Sequence, residues 1–256
     1  MSAADAFVAD GLSLSFGGLK AVSGFSLRLG AGELKGLIGP NGAGKTTVFN
    51  LITGVYAPDA GTMAIGGDSL LGLVPHDITR RGIARTFQNI RLFRDLTVLE
   101  NVLISFHMRI GYGYVSALMR LPSFYRVERE NRDKAMALLA LMGIEDRAST
   151  AARNLCYGDQ RRLEIVRALA TDPKVLLLDE PAAGLNSSEK VQLMKTVAEI
   201  RSRFKVAILL IDHDMKLIMG ICERITVLDH GEIIAEGAPR QIQEDPKVVE
   251  AYLGVS

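Results

Sequence analysis

The chain is expected to fold as an α/β protein built on a parallel sheet, with a mostly helical insertion in its middle. Three features predict this. After Gln160, short apolar strands alternate with segments of helical spacing, the order that places a parallel sheet between two helix layers. Near the start, the apolar run Leu34–Gly39 ends in a glycine-rich loop that opens onto helical spacing. Between these regions, from about residue 95 to 155, strand signals vanish and helical periodicity takes over.

Phe7–Phe16 and Ala21–Leu29 alternate apolar and polar positions with glycines between them, which predicts two strands. Leu34–Gly39 reads as a strand, Lys45–Thr53 as a helix, and Met63–Ile65, set off by Gly61 and Gly66-Gly67, as a further short strand. Thr97–Arg109 and Glu128–Met142 have helical spacing. Ile110–Tyr125, rich in Gly, Tyr, Met and Leu, shows no clear period. Further on, helices are expected over 161–171, 188–203 and 214–220, and strands over 174–179, 205–211 and 224–228. His230-Gly231 reads as a hairpin turn leading to Glu232–Ala235, and one helix is expected from Arg240 to Leu253.

Composition narrows the setting. With 256 residues, 48% hydrophobic and 23% charged, the chain can bury a full core without staples. A net charge of +1 creates no field for nucleic acid or an anionic membrane, and no basic stripe is present, so a nucleic-acid partner is not expected. Two distant cysteines, Cys156 and Cys222, give no disulfide framework and fit a reducing compartment. The most apolar stretch, Val102–Leu121, is broken by His107, Arg109 and Arg120 and is too interrupted to cross a bilayer. The opening MSAADAFVAD lacks the basic start and apolar run of a signal peptide. The chain is expected to stay where it is made and to reach any membrane through partners.

Gly39-Pro40-Asn41-Gly42-Ala43-Gly44-Lys45-Thr46 matches G-x-x-x-x-G-K-[ST], in the strand–loop–helix context that supports a phosphate loop. Glycines let successive N–H groups turn toward phosphate oxygens, and the helix N-terminus adds partial positive charge. Lys45 can reach β- and γ-phosphates, and the Thr46 hydroxyl can ligate Mg²⁺. Downstream, Val175-Leu176-Leu177-Leu178-Asp179-Glu180 is an apolar strand ending in two acids. The first can hold Mg²⁺ through water and the second can orient an attacking water. Together these features describe a P-loop NTPase.

Further residues resemble the ABC cassettes. Asn154-Leu155-Cys156-Tyr157-Gly158-Asp159-Gln160, about twenty residues before Asp179, resembles the signature loop. Gln88 in Arg85-Thr86-Phe87-Gln88 resembles the Q-loop glutamine, His213 the switch histidine, Ala183-Gly184-Leu185-Asn186 the D-loop, and Phe16 the aromatic that stacks on adenine. The order fits from Phe7 to about Gly237. Residues 85–93, 157–164 and 179–186, and an extra stretch at about 107–128, further resemble the ATP-binding subunit of branched-chain amino-acid importers.

This resemblance implies a P-loop NTPase (RecA-like) core with an N-terminal antiparallel β-subdomain and an inserted α-helical subdomain. The whole chain, 1–256, would be one ATP-binding domain. Residues about 1–94 and 161–256 would form the β-subdomain and ATPase core, and about 95–160 the helical subdomain with the signature loop. It implies ATP and Mg²⁺ as cofactors. ATP would lie on Phe16, Gly39, Pro40, Asn41, Gly42, Ala43, Gly44, Lys45, Thr46 and Thr47. Gly158 would cover the ATP of a second cassette. Thr46, Gln88 and Asp179 would hold the metal, and Glu180, His213 and Gln88 would serve catalysis. The implied partners are a related, different cassette, two transmembrane permease subunits and, indirectly, a soluble substrate-binding protein, at the cytoplasmic face of the inner membrane. Another transporter (for urea, another small solute or lipid export) or a non-transport cassette ATPase is the alternative. Substrate would not touch the chain, so its identity is not readable here.

Three residues depart from the usual form: Cys156 stands for serine, Asp159 for glutamine and Asn186 for aspartate. Cysteine is a weak cap and acceptor, and an acid near the γ-phosphate repels it unless turned away. These changes bear on the rate of hydrolysis. With Glu180 intact, an active ATPase is expected. Arg161-Arg162 reads as a solvated helix face.

Overall fold

The computed structural model describes residues 5–106, 118–119 and 121–253. Strands β1 (Asp5–Phe16) and β2 (Leu19–Gly30) pair antiparallel, and β4 (Ala60–Ile65) and β5 (Asp68–Ser69) extend them into a sheet of order β2-β1-β4-β5. Phe7, Ala9, Leu12 and Leu14 are buried although the alternation slips a residue after Ala9. A register irregularity between Ala9 and Leu12 absorbs the slip and keeps the apolar face inward.

The second sheet has the order β10-β9-β3-β8-β7-β6. Strands β3 (Leu34–Ile38), β6 (Ile83–Arg85), β7 (Val175–Asp179), β8 (Ala207–Ile211) and β9 (Arg224–Asp229) run parallel, and β10 (Glu232–Gly237) is antiparallel to β9. Every residue of β3, β7 and β8 is buried, as expected for strands covered on both faces. Leu177 and Leu209 face a core shared with Phe7, Phe25 and Phe49, beneath the antiparallel sheet. Leu176, Leu178, Ile208 and Leu210 face a second core, shared with the helices of the opposite layer.

The helices are α1 (Lys45–Ile52), α2 (Pro75–Arg81), α3 (Val98–Phe106), α4 (Pro122–Leu141), α5 (Tyr157–Leu169), α6 (Ser187–Phe204), α7 (Met215–Ile221), α8 (Pro239–Glu244) and α9 (Pro246–Leu253). At the start of α3, Thr97 and Glu100 cap reciprocally. The Thr97 N–H donates to Glu100 Oε2 at 2.7 Å, and the Glu100 N–H donates to Thr97 Oγ1 at 3.2 Å. Asn186 and Glu189 form the same box at the start of α6.

Several boundaries differ from expectation. The single helix expected over 240–253 is two, because Pro246 holds Asp245 extended (ψ 119°) and ends α8. Helix α5 starts at Tyr157 rather than 161, and α4 starts at Pro122 rather than 128, with proline in its first turn. Helix α2 and strands β5 and β6 were not anticipated. Residues 107–117 and 120, with the end of the expected 97–109 helix and much of the 107–128 stretch, lie outside the described residues.

Candidate functional site

The candidate residues gather at the C-terminal ends of β3, β7 and β8, where open α/β sheets place their ligands. The loop from Gly39 to Gly44 joins β3 to α1. A side chain on Gly39 would put its Cβ 1.9 Å from the Leu228 carbonyl oxygen, and one on Gly44 would lie 2.6 Å from the Ala21 carbonyl oxygen. The backbone is wedged between β2 and β9, which fixes the loop's curl as well as freeing it. Ala43 is buried beneath it. Its N–H donates to the Pro40 carbonyl at 3.2 Å, and its own carbonyl accepts from the Gly231 N–H at 3.0 Å. Lys45 Nζ donates to the carbonyls of Gly39 (2.7 Å) and Pro40 (2.8 Å). Burial lowers the Lys45 pKa, and the charges of Glu180 and Asp179 oppose that shift. Thr46 and Thr47 lie in the first turn of α1, with Thr46 exposed.

Asp179 ends β7 and is buried. Its Oδ2 accepts from Arg85 Nη2 at 2.8 Å, and its N–H donates to Thr86 Oγ1 at 3.2 Å. Arg85 also donates to Asn50 Oδ1 at 2.7 Å, and its guanidinium lies over Phe49 (5.4 Å) and Phe87 (5.2 Å). Arg85, Thr86 and Asn50 were not singled out from the sequence. The only signal was that Arg85-Thr86 directly precedes Phe87-Gln88.

Glu180 adopts a left-handed backbone (φ 47°), anchored by its N–H donating to the Ile211 carbonyl at 2.8 Å. Gln88 Nε2 donates to Glu180 Oε2 at 3.0 Å. His213 is 71% exposed, and its Nδ1 lies 3.8 Å from both Glu180 Oε2 and Asp212 Oδ1. Both Asp212 oxygens also accept from the backbone: Oδ2 from the Ala182 N–H (3.2 Å) and Oδ1 from the Asp214 N–H (2.9 Å). Asp214 caps α7 and pairs with Lys190 at 2.7 Å. The hydrogen bond from Lys190 holds the Asp214 carboxyl below its usual range and raises Lys190 in return. Lys45, Asp179, Glu180, Gln88 and His213 are thus brought together.

Phe16 and Gly158 stand apart. Phe16 is 46% exposed and meets Tyr56 edge-on at 5.2 Å, so it is not a core aromatic. Gly158 packs on the chain's own segment 185–189: a Cβ there would lie 3.0 Å from Glu189 Oε1 and 3.7 Å from Leu185. Cys156 is the N-cap of α5 and makes no side-chain cap bond, so the terminus is left without the usual hydroxyl. Asp159 turns to Arg162 at 3.3 Å.

Arg161 corrects the expectation of a solvated face. It is 1% exposed, with Nη1 donating to the Phe87 carbonyl (2.6 Å) and to Glu164 Oε2 (2.9 Å), and Nη2 donating to the Gln88 carbonyl (2.8 Å) and Tyr157 Oη (3.1 Å). Glu164 Oε1 accepts from the N–H groups of Phe87 (3.1 Å) and Arg91 (3.5 Å). Burial pushes the Glu164 carboxyl up, against those N–H groups and the Arg161 charge. Arg167 donates to the Arg91 carbonyl and lies over Phe93 at 5.0 Å. Alongside opens a cleft of about 430 Å³ between α2, residues 85–93 and α5, with Phe93 47% exposed at its edge.

The chain is similar to known proteins over nearly its whole length. The family model for the ABC transporter matches residues 22–183, and that for the branched-chain amino acid ATP-binding cassette transporter matches residues 232–256. The chain is 49% identical over 245 residues, 96% of both proteins, to the high-affinity branched-chain amino acid transport ATP-binding protein LivG of Escherichia coli (strain K12). Its fold resembles the ADP conformation of MJ1267, an ATP-binding cassette of an ABC transporter, with a TM-score of 0.83 and 30% identity, covering 98% of this chain and 99% of that one. It also resembles the dimeric structure of MJ0796, a bacterial ABC transporter cassette, with a TM-score of 0.77 and 26% identity, covering 91% and 99%. A family model matched over most of the chain, together with a relative 49% identical over 96% of it, means that the chain belongs to the ABC transporter family as an ATP-binding cassette.

Proposed function

We propose that this chain binds and hydrolyses Mg-ATP as one of two cassettes that power import of branched-chain amino acids through two permease subunits. The reading rests on one convergence: Gln88 and His213 both approach the single carboxylate oxygen Glu180 Oε2, next to Asp179 and within electrostatic reach of Lys45. The transported solute is inferred from the relative at 49% identity, whose name states branched-chain amino acid transport.

In this reading the N–H groups from Gly39 to Thr47 cradle the phosphates, Lys45 neutralises their charge, and Phe16 supplies a ring for adenine. Glu180 accepts a hydrogen bond from the attacking water and holds it in line, and His213 and Gln88 keep that carboxylate aimed. The donor set fits a hard cation. Thr46, Gln88 and Asp179 offer oxygens, and among the described residues no group of three or more His, Cys, Asp or Glu could hold a metal ion alone. That suits Mg²⁺, which takes one or two protein oxygens and completes its shell with phosphate and water. When bound, the metal would neutralise charge on the transferred phosphoryl group.

The second cassette is inferred from the dimeric relative, and Gly158, whose own-chain neighbours are Leu185 and Glu189, would cover that cassette's ATP. The cleft beside Phe87 and Phe93 is the proposed seat of a permease segment. No helix among the described residues is long and apolar enough to cross a membrane, so attachment at the cytoplasmic face of the inner membrane would run through those permeases. A soluble binding protein would deliver the substrate.

The decisive variant is Glu180→Gln, which keeps shape and removes charge. Mg-ATP binding should survive and turnover should fall at least about a hundredfold, the scale of a lost general base. Steady-state phosphate release near the wild-type rate would remove Glu180 from this role. For transport, joint reconstitution with the permeases and binding protein should give ATP-dependent leucine uptake, and uptake of an unrelated solute instead would reassign the importer.

A further inference from the structure

We propose that Arg161 and Glu164 form a latch that fixes the Q-loop backbone to the signature helix, so that Gln88 and Gly158 move as one unit. This rests on the nucleotide-site reading above, in which Gln88 serves the chain's own ATP and Gly158 a partner's.

The latch has an unusual construction. Its grip falls on main-chain groups, far away in sequence, on both sides of the Gln88 side chain. The Arg161 fork spans the consecutive carbonyls of Phe87 and Gln88, at 2.6 and 2.8 Å. The Glu164 carboxylate closes the other side by accepting from the N–H groups of Phe87 and Arg91, at 3.1 and 3.5 Å. The two side chains bond each other at 2.9 Å and are 1% and 5% exposed. A planar guanidinium has enough donors, held in a fixed fork, to bond both carbonyls, Glu164 and Tyr157 at once, whereas an ammonium has only three. Charge-assisted hydrogen bonds in a dry site are the strong kind. Any displacement of residues 87–91 relative to α5 breaks several at once.

The same guanidinium extends the link to the D-loop. Its Nη2 bonds Tyr157 Oη at 3.1 Å, and the Tyr157 ring covers Gly184, where any Cβ would meet the ring at 2.8 Å. Gly158 follows Tyr157 directly. One buried arginine therefore joins Gln88 to the first turn of α5 and to Gly184. Arg161 and Glu164 do not reach Glu180 or the phosphate loop and act by positioning Gln88.

The test uses the full chain in three forms: Arg161→Met, Arg161→Lys and the charge-neutral pair Arg161→Met with Glu164→Gln, which avoids an unpaired buried carboxylate. Hydrogen exchange is read at the amides of 87–91 and, as a control for global unfolding, in β8. With the latch, exchange at 87–91 should accelerate about tenfold or more in the Met forms, the factor expected for losing a charged hydrogen bond, with β8 unchanged. The rate kcat should fall by a similar factor, while the Kd for Mg-ATP stays within about threefold, because the phosphate loop is untouched. Arg161→Lys should recover only part of either effect. Unchanged exchange at 87–91 in a folded variant overturns the proposal. So does uniform acceleration across the chain with kcat unchanged per folded molecule, which marks a purely structural pair. If wild type fails to bind Mg-ATP, the nucleotide reading fails, and exchange at 87–91 still decides whether the latch exists.

Discussion

Replacing Arg85 with methionine tests the carboxylate at the end of β7. Methionine keeps the apolar bulk beside Phe49 and Phe87 and removes the charge. The variant loses a 2.8 Å ion pair to Asp179 and a 2.7 Å hydrogen bond to Asn50. The two charged side chains are 7% and 6% exposed, so Asp179 is left as a buried, unpaired charge. Breaking such a pair costs about 3–5 kcal/mol. One feature offsets part of this: Arg85 Nε is buried without a partner and disappears with the mutation, which returns about 1 kcal/mol. The expected net loss is therefore about 3 kcal/mol, a large share of the roughly 5–15 kcal/mol typical of a domain. The chain has no tryptophan, so urea unfolding is followed by far-ultraviolet circular dichroism. Arg85→Met combined with Asp179→Asn should recover most of the loss, because it leaves no buried charge. A loss under about 1 kcal/mol, in the range of exposed pairs, or a double variant no more stable than the single, would refute the claim that this pair is held dry.

Other perturbations separate chemistry from structure. His213→Ala should cut hydrolysis and barely move the melting temperature, because the ring is 71% exposed; a drop of many degrees with normal turnover would make it a structural histidine. Burial pushes the Cys222 thiol up to about 12, whereas Cys156 is exposed, so maleimide at pH 8 should label Cys156 alone, and Mg-ATP added to the paired cassettes of a Glu180→Gln variant should slow that labelling. Equal labelling of both thiols, or no ATP protection, counts against burial and the composite site respectively. The Asp214 carboxyl is held below its ordinary 3.8, so its contribution is complete above that value and fades as pH falls through the folded pKa; Lys190, raised above 10.5, contributes below that value and fades as pH rises. Lys190→Met should therefore lower the melting temperature near neutrality, with the gap to wild type closing below about pH 3.8, and a gap constant to acid pH would show that the pair does not set it.

What could be read in the sequence was local. The phosphate loop and the Asp179-Glu180 pair are short-range patterns, and β3, β7 and β8 are uninterrupted apolar runs because both faces are covered. Helix α2 and strand β6 are seven and three residues long, too short for periodicity to register, although Pro75 and Gly82 bracket α2 as start and stop signals. The start of α5 was misplaced because its N-cap is Cys156, which carries no capping signal. The supporting charges were hidden for another reason. Arg85 meets Asp179 across 94 positions, and Arg161 meets the Phe87 carbonyl across 74. On α5 the pattern of Arg161, Arg162 and Glu164 is that of a wet surface, and only the approach of residues 87–91 makes part of it an interior.

These two hidden ion pairs grip one short segment from opposite sides. Arg85, at the end of β6, is tied through Asp179 to the ATPase sheet, and Thr86 adds a bond to the Asp179 backbone. Residues 87, 88 and 91 are tied through Arg161 and Glu164 to α5. The border between the two holds runs between Thr86 and Phe87, one residue before Gln88. A rotation of α5 against the sheet would act on that border, because both sides are anchored by buried, charge-assisted bonds. Gln88 itself is bonded to Glu180, so such a rotation either carries its amide away from the carboxylate or leaves it in place. Turnover would then depend on a discrete arrangement of α5, with no need for a long chain of communicating residues, since the element that moves and the residue that senses it are joined by two side chains.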